Sequence, residues 1–299
     1  MQKRKIHSKL LRKEALECYL FMSPWLVGFV LFIGGPIIAS LILSLCKYDI
    51  LTSPKFVGLG NYLTLFTDDP LFWQSLRVTG LYTMFSIPLL LLISLSAALL
   101  LNQKVGGLSW FRTIYYLPSV ITGVVVALMW MWMFDGNFGI INYLLSLIGI
   151  DGPVWLFDKF WVLPAFIVMS LWALGPPMII FLAGLQGIPR VLEEVAIIDG
   201  ANKWQVFWNV TIPMLSPVIL FNLIIQIVYS SQVFIPAYVI TEGGPANSTL
   251  FYTLYLYRMG FRWLMMGKAS AMAWILFVLI LVCTLTIFRS SARWVYYEK

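Results

Sequence analysis

Six stretches of this chain are uncharged and mostly apolar over 20 or more residues, and that feature decides most of what it can fold into. They run from Tyr19 to Leu45, Val78 to Leu101, Thr113 to Phe134, Phe160 to Leu185, Met214 to Ile240 and Ala269 to Phe288. A helix rises about 1.5 Å per residue, so about 20 apolar residues cross a hydrocarbon layer of about 30 Å. Lipid offers no partner to a backbone N–H or C=O, and a helix satisfies those groups internally. The expectation is an all-α, polytopic membrane protein with six transmembrane helices. Composition agrees: 61% of residues are hydrophobic and 11% charged, against about 25% charged in soluble domains. With no repeat or linker in view, the chain reads as a basic tail (1–18), one membrane domain (19–289) and a second tail (290–299).

The net charge of +7 could suggest a nucleic-acid partner, but its distribution argues for membrane orientation instead. Lys3, Arg4, Lys5, Lys9, Arg12 and Lys13 precede the first span, and Lys and Arg beside a span resist translocation. An inside amino terminus and six spans bring Arg289, Arg293 and Lys299 back inside, with Lys104, Arg112, Arg190 and Lys203 in the inside loops. Asp49, Asp68, Asp69, Asp135, Asp151, Asp158 and Glu242 then all fall outside. Both termini are therefore expected in the cytoplasm. The first run is too long for a signal peptide and lacks an A-x-A-like site. Cys18, Cys46 and Cys283 have no metal-binding spacing and His7 is the sole histidine, so neither a metal nor a disulfide framework is implied.

Pro24, Gly34, Gly35, Pro36, Pro88, Gly175, Pro176 and Pro177 fall inside spans, where they bend helices, either to shape a path or to pack. The outside segment from Tyr48 to Gln74 spaces Phe56, Leu59, Tyr62, Leu65 and Phe66 as a helix lying on the membrane surface does.

Ion-driven carriers use Asp, Glu, His or Lys inside their spans. None of the six runs contains a charged residue, so the energy for active transport has to enter from outside the bilayer. The phosphate-cradling G-x-x-x-x-G-K-[ST] loop is also missing, which assigns any ATPase to another polypeptide. Nor does a carboxylate pair, metal cluster or activated nucleophile sit at membrane depth, so no catalytic residue is expected.

Asn222, Gln226, Tyr229 and Ser230, with Val233 continuing the stripe, fall on one helix face. Neutral hydrogen-bonding groups suit an uncharged polyhydroxylated solute, and they equally suit interhelical packing. Trp130, Trp132 and Trp161 read as interfacial anchors, whereas Trp172 lies deeper in its span.

Between the fourth and fifth spans, Pro189 can start a helix and Gly200 can end it. Asn202 can cap a second short helix through Val210, stopped before Pro213.

This loop resembles a known family. Glu194-Val195-Ala196, Gly200 and Val210-Thr211-Ile212-Pro213 are similar in residues and spacing to the EAA loop of binding-protein-dependent ABC importer permeases. Leu182-Ala183-Gly184-Leu185, Ile188-Pro189 and Asp199-Gly200-Ala201 narrow the resemblance to the sugar-importer branch. Val57 to Tyr62, Tyr115 to Pro118, Phe138 to Asn142, Gly243 to Pro245 with Thr249, and Gly267 to Ala271 match further strings in the same order. One departure is Val195, where the motif usually has Ala.

The resemblance implies the importer permease fold, a bacterial or archaeal cytoplasmic membrane, and a coupling loop at 188–213 seated in a cleft of the ATPase. Glu194 would pair with a basic ATPase group, Ala196 and Gly200 would allow close approach, and Asp199 would brace the turn, with Ala201 and Pro213 completing the motif. It implies a cavity lined by Ser170, Ala173, Leu174 and Pro177 on one span and Gln226, Tyr229, Ser230 and Val233 on the next; Asn222, on the same stripe, and the deeper Trp172 are further candidates for that lining. The partners implied are a second permease subunit, two ATPase subunits that hold ATP and magnesium, an extracytoplasmic solute-binding protein and the bilayer. This chain would bind no cofactor and transport a sugar or oligosaccharide. Rival readings are a permease for glycerol phosphate, which would want Arg or Lys in the cavity, and an ion-coupled carrier, which would want charge in the spans.

Overall fold

The computed structural model describes residues 9–103 and 106–296. Lys3, Arg4, Lys5, His7, Lys104 and Lys299, which enter the charge argument, lie outside the described residues. The chain is mostly helical and divides into two compact units. One holds the described residues up to Thr64 with Met259–Trp274; the other holds Leu65–Arg258 and the described residues from Ile275.

In the first unit, α1 (Lys9–Phe29) and α2 (Gly35–Ser44) join through a π-turn at Val30–Gly34 into one long helix. The turn sits where Pro36 supplies no N–H, so the widened backbone passes the proline without breaking. Beyond α2, the strands β1 (Cys46–Lys47) and β2 (Lys55–Phe56) form a short antiparallel ladder, and α3 covers Gly60–Thr67. Asn61 ties this corner together, its Nδ2 donating to the carbonyls of Ser44 and Cys46, each at 2.8 Å. A Cβ on Gly267 would lie 2.1 Å from the Cys46 carbonyl oxygen, so this backbone contact excludes any side chain. The surface helix read from Tyr48 to Gln74 is thus a β-ladder, a short helix and the beginning of the next long one.

The second unit is built on α4 (Pro70–Leu101), which starts eight residues before the apolar run because Asp69 caps it. After α4 come α5 (Leu108–Tyr116), a 3-10 turn at Leu117–Val120 and α6 (Gly123–Met133), bent by 100° at the break. The third run, expected from Thr113 to Phe134 as one straight span, is therefore two helices meeting at a sharp bend. Its break falls beside Pro118 and Gly123, which interrupt the helical bonding. The fourth run likewise divides into α8 (Val162–Leu171) and α9 (Gly175–Gly187), bent by 45° ahead of Pro176 and Pro177, after the short α7 (Ile140–Leu147). Among the described residues, four helices are long and apolar enough to span a membrane alone, and up to six spans result if each bent pair is one.

The loop between α9 and the next long helix forms α10 (Arg190–Ile198) and α11 (Lys203–Val206). Pro213 does not end the second of these, as the sequence suggested. A π-turn at Phe207–Thr211 carries α11 straight into α12 (Ile212–Ser230), with the Ile212 N–H reaching the Phe207 carbonyl. The wider turn accommodates the missing N–H and the ring of Pro213. Pro217 is absorbed in the same helix: the Pro213 carbonyl, which loses its helical partner, accepts the Ser216 hydroxyl at 2.6 Å. The helix ends at Ser230, ten residues before the apolar run does, and a π-turn at Ala237–Thr241 leads to α13 (Tyr252–Tyr257). A further π-turn at Arg258–Arg262 precedes the last helix, α14 (Met266–Ser291).

The packed centre of the second unit joins α4, α9 and α12 through Ala97, Ala98, Leu101, Met178, Phe181, Leu182, Leu185 and Leu215. Gly184 sets the spacing of α9 and α12. A Cβ there would lie 2.8 Å from both Leu215 Cδ1 and Val218 Cγ2, so a small residue permits the close approach.

Candidate transport cavity and the corner of the 188–213 loop

Next to this apolar cluster, α4, the α5–α6 break, α8 and the end of α12 surround a cavity of about 700 Å³. Its polar groups come from Tyr82 and Ser86 on α4, Ser119 at the break, Ser170 on α8, Gln226, Tyr229 and Ser230 on α12, and Gln232 just beyond it. Each arrives for a local reason. Ser119 and Ser170 return their hydroxyls to the carbonyls of Tyr116 (2.7 Å) and Ile167 (2.6 Å), which removes the need for a partner on another helix. Gln226, Tyr229 and Ser230 share one face because they are spaced three and four apart. The cavity walls contain no charged side chain among the described residues.

Trp172 and Ala173 join the lining, and Val233 does too, although it lies beyond the end of α12. Leu174 instead packs against the apolar cluster, Pro177 is buried, and Asn222 is buried without entering the lining. Trp130, read as an interfacial anchor, is buried with its ring 5.9 Å from that of Trp172. Sequence reasoning missed Tyr82, Ser86, Ser119 and Gln232. The first two sit on a helix that is apolar nearly all round, and Ser119 is brought in by a 100° bend that no local spacing encodes.

The loop at 188–213 is a pair of exposed helices around a fully hydrogen-bonded corner. Helix α10 ends with the Ala201 N–H on the Ala196 carbonyl and the Gly200 N–H on the Ile197 carbonyl, each at 3.0 Å. That double closure requires a left-handed residue, and Gly200 supplies it at φ +87°. Nothing lies within 4 Å of where a Gly200 Cβ would be, so within this chain the glycine is set by its torsion. Asn202 then opens α11 with reciprocal bonds: its Oδ1 accepts from the Gln205 N–H at 2.9 Å, and Gln205 Oε1 accepts from the Asn202 N–H at 2.8 Å. Asp199 is the C-cap residue of α10, its own N–H on the Val195 carbonyl. Glu194 is exposed, and so are Val191, Leu192, Val195, Ile197 and Ile198; α10 has no buried residue. An exposed apolar helix held by a rigid corner has the form of a docking element.

Residues 90–295 match the family described as the binding-protein-dependent transport system inner membrane component. A Bacillus subtilis protein described as a probable ABC transporter permease, YesP, is 45% identical over 98% of this chain and 96% of its own length. The lactose transport system permease protein LacF of Rhizobium radiobacter is 38% identical over 92% of this chain and 93% of its own. Among solved structures, a bacterial alginate ABC transporter in complex with an alginate pentasaccharide-bound periplasmic protein has a chain with TM-score 0.78 and 26% identity, covering 94% of this chain and 96% of that one.

Proposed function

The chain belongs to the family of binding-protein-dependent transport system inner membrane components, and from that premise we propose that it is a permease subunit of an ATP-driven importer moving a neutral sugar or oligosaccharide. The observation that carries the substrate reading is the cavity: about 700 Å³, lined by hydroxyls, two amides and aromatic rings, with no charge in its walls among the described residues. Saccharides present hydroxyls in the plane of the ring and C–H groups on its faces, which that lining suits. A phosphorylated or acidic solute would want Arg or Lys there.

The coupling reading rests on α10 and its corner. Glu194, Ala196, Asp199, Gly200 and Ala201 occupy the exposed helix and its C-terminal closure, and Pro213 lies on the helix that continues from it. In this reading the ATPase cleft covers α10, and a push on the corner passes into α12 through the unbroken helix from Lys203 to Ser230. Such a helix transmits displacement over about 40 Å, at about 1.5 Å per residue, to the level of the cavity. A second permease subunit, two ATPase subunits with their ATP and magnesium, and an extracytoplasmic binding protein complete the machine, with both termini of this chain in the cytoplasm. This chain's own part is to bind, gate and transmit.

The test is uptake. The assembled complex in ATP-loaded proteoliposomes, with its binding protein outside, is offered a panel of labelled neutral mono- to pentasaccharides. ATP-dependent accumulation of at least one of them is expected, reduced by Gln226→Ala. Failure to accumulate any sugar, in a complex whose ATPase is active, would overturn the reading.

A further inference from the structure

Asn222 is fully buried, and both its amide oxygen and its amide nitrogen lack a hydrogen-bond partner. Native proteins rarely leave a whole carboxamide unpaired, and such a group calls for a specific account. Its position supplies one. Four residues along α12, about 6 Å, lies Gln226 in the cavity wall, on the same helix face. Three and four residues the other way lie Ile219 and Val218, which pack against the apolar cluster of Met178, Phe181, Leu182 and Leu215. Asn222 therefore stands at the boundary between the cavity and the apolar seal beside it.

That seam is apolar. Gly184 brings α9 against Leu215 and Val218, and no hydrogen bond joins the side chains of α9 and α12 among the described residues. A seam held by van der Waals contact parts and re-forms without breaking polar bonds, and opening it would let the trapped carboxamide find partners. Ser86 Oγ, on α4 in the cavity wall, is a second buried and unpaired polar atom.

We propose that Asn222 is a conformation-gated saccharide contact: sealed in the conformation described above, it comes to line the path when α12 parts from α9, and takes hydroxyls handed on from Gln226 and Tyr229. A carboxamide offers two donors and an acceptor, enough to bridge adjacent hydroxyls. The inference rests on the reading of the Gln226 cavity as the transport path.

Thiol accessibility in the assembled complex tests it without knowledge of the sugar. With Cys18, Cys46 and Cys283 replaced by serine or alanine, Asn222→Cys and Gln226→Cys are exposed to a small water-soluble methanethiosulfonate, nucleotide-free and after trapping with ATP and vanadate. The modification rate of the Asn222→Cys thiol is expected to differ between the two conditions by at least about tenfold, the signature of a state-dependent opening. Protection of that thiol in both states, with the Gln226→Cys thiol reactive, would overturn the inference and leave a buried residue satisfied by trapped water. Protection of the Gln226→Cys thiol in both states would overturn the cavity reading itself. In a second variant, Asn222→Leu, normal assembly with uptake reduced several-fold is expected; normal assembly with unchanged uptake would also overturn it.

Discussion

The hydroxyl of Tyr255 donates to Asp69 Oδ2 at 2.5 Å, joining residues 186 apart in the chain. The other oxygen of the same carboxylate, Oδ1, caps α4 by accepting from the N–H groups of Leu71 (3.0 Å) and Phe72 (3.1 Å). One side chain thus begins the helix that forms a cavity wall and pins α13 against it, with the Tyr252 N–H donating to Thr79 Oγ1 at 2.9 Å as a second tie. Loss of a cap costs about 0.5–2 kcal/mol, and loss of a hydrogen bond to a charged group about 1.5–3 kcal/mol. Asp69→Ala should therefore destabilise more than Tyr255→Phe, because only the first removes both. Thermal unfolding of the purified complex, followed by size-exclusion chromatography, orders the two variants.

The same pair gives an alkaline signature. Burial, helped by the hydrogen bond and charge of Asp69, raises the Tyr255 hydroxyl above its ordinary pKa of 10.0. A raised folded value means that the native state keeps its proton where the unfolded chain releases it. The stabilisation is thus complete below about pH 10 and declines as pH rises beyond it. Tyr255→Phe should flatten that decline, which unfolding midpoints measured from about pH 8 to about pH 11 would show. An equally steep decline in the variant would exclude Tyr255 as a source.

Much of this was legible in the sequence, and the misses share a cause. Apolar length marked the long helices and both bent pairs, because hydrocarbon thickness is a one-dimensional constraint. The corner at Asp199 to Asn202 was legible because a left-handed glycine and an N-cap are local rules. What was hidden depends on neighbours. Pro213 read as a breaker, yet a π-turn carries the helix past it, and the Ser216 hydroxyl absorbs Pro217 in the same helix. Ser119 reaches the cavity through a 100° bend, and the size and direction of that bend do not follow from Pro118 and Gly123 alone. Periodicity put Asn222 on the right face but could not tell that the cavity stops one turn short of it.

Gly200→Ala should cost about 1 kcal/mol through the left-handed torsion alone, since open space surrounds the position. Gly200→Asn, which tolerates that torsion better, should recover part of the loss. If the corner transmits force, the Ala variant also weakens sugar-stimulated ATP hydrolysis by the complex. Full stimulation with Ala would separate the corner's geometry from coupling.

At the α9–α12 seam the constraint is steric. Gly184→Ala places a methyl 2.8 Å from Leu215 and Val218 side-chain carbons, and overpacking of this kind costs about 1–3 kcal/mol unless the helices shift. The seam is the apolar contact beside the cavity, so a shift loosens it. The variant is expected to assemble less well or to raise ATP hydrolysis without sugar. Normal stability and normal basal hydrolysis together would mean that the seam adjusts freely.

Gln226 and Tyr229 offer the most direct probe of the cavity. Gln226 contributes the amide of the α12 wall, and Tyr229, 70% exposed, presents its ring and hydroxyl to the open space. Neither belongs to the apolar cluster, so truncation leaves the packing of α12 intact. A neutral hydrogen bond to a sugar hydroxyl is worth about 1 kcal/mol, which makes Gln226→Ala a roughly fivefold loss of uptake efficiency. Loss of the Tyr229 ring removes stacking as well, so Tyr229→Ala should lose more than Tyr229→Phe. Initial uptake rates across a sugar concentration series, normalised to assembled complex, separate the three variants. Equal effects of the Ala and Phe changes would assign the role of Tyr229 to its hydroxyl alone.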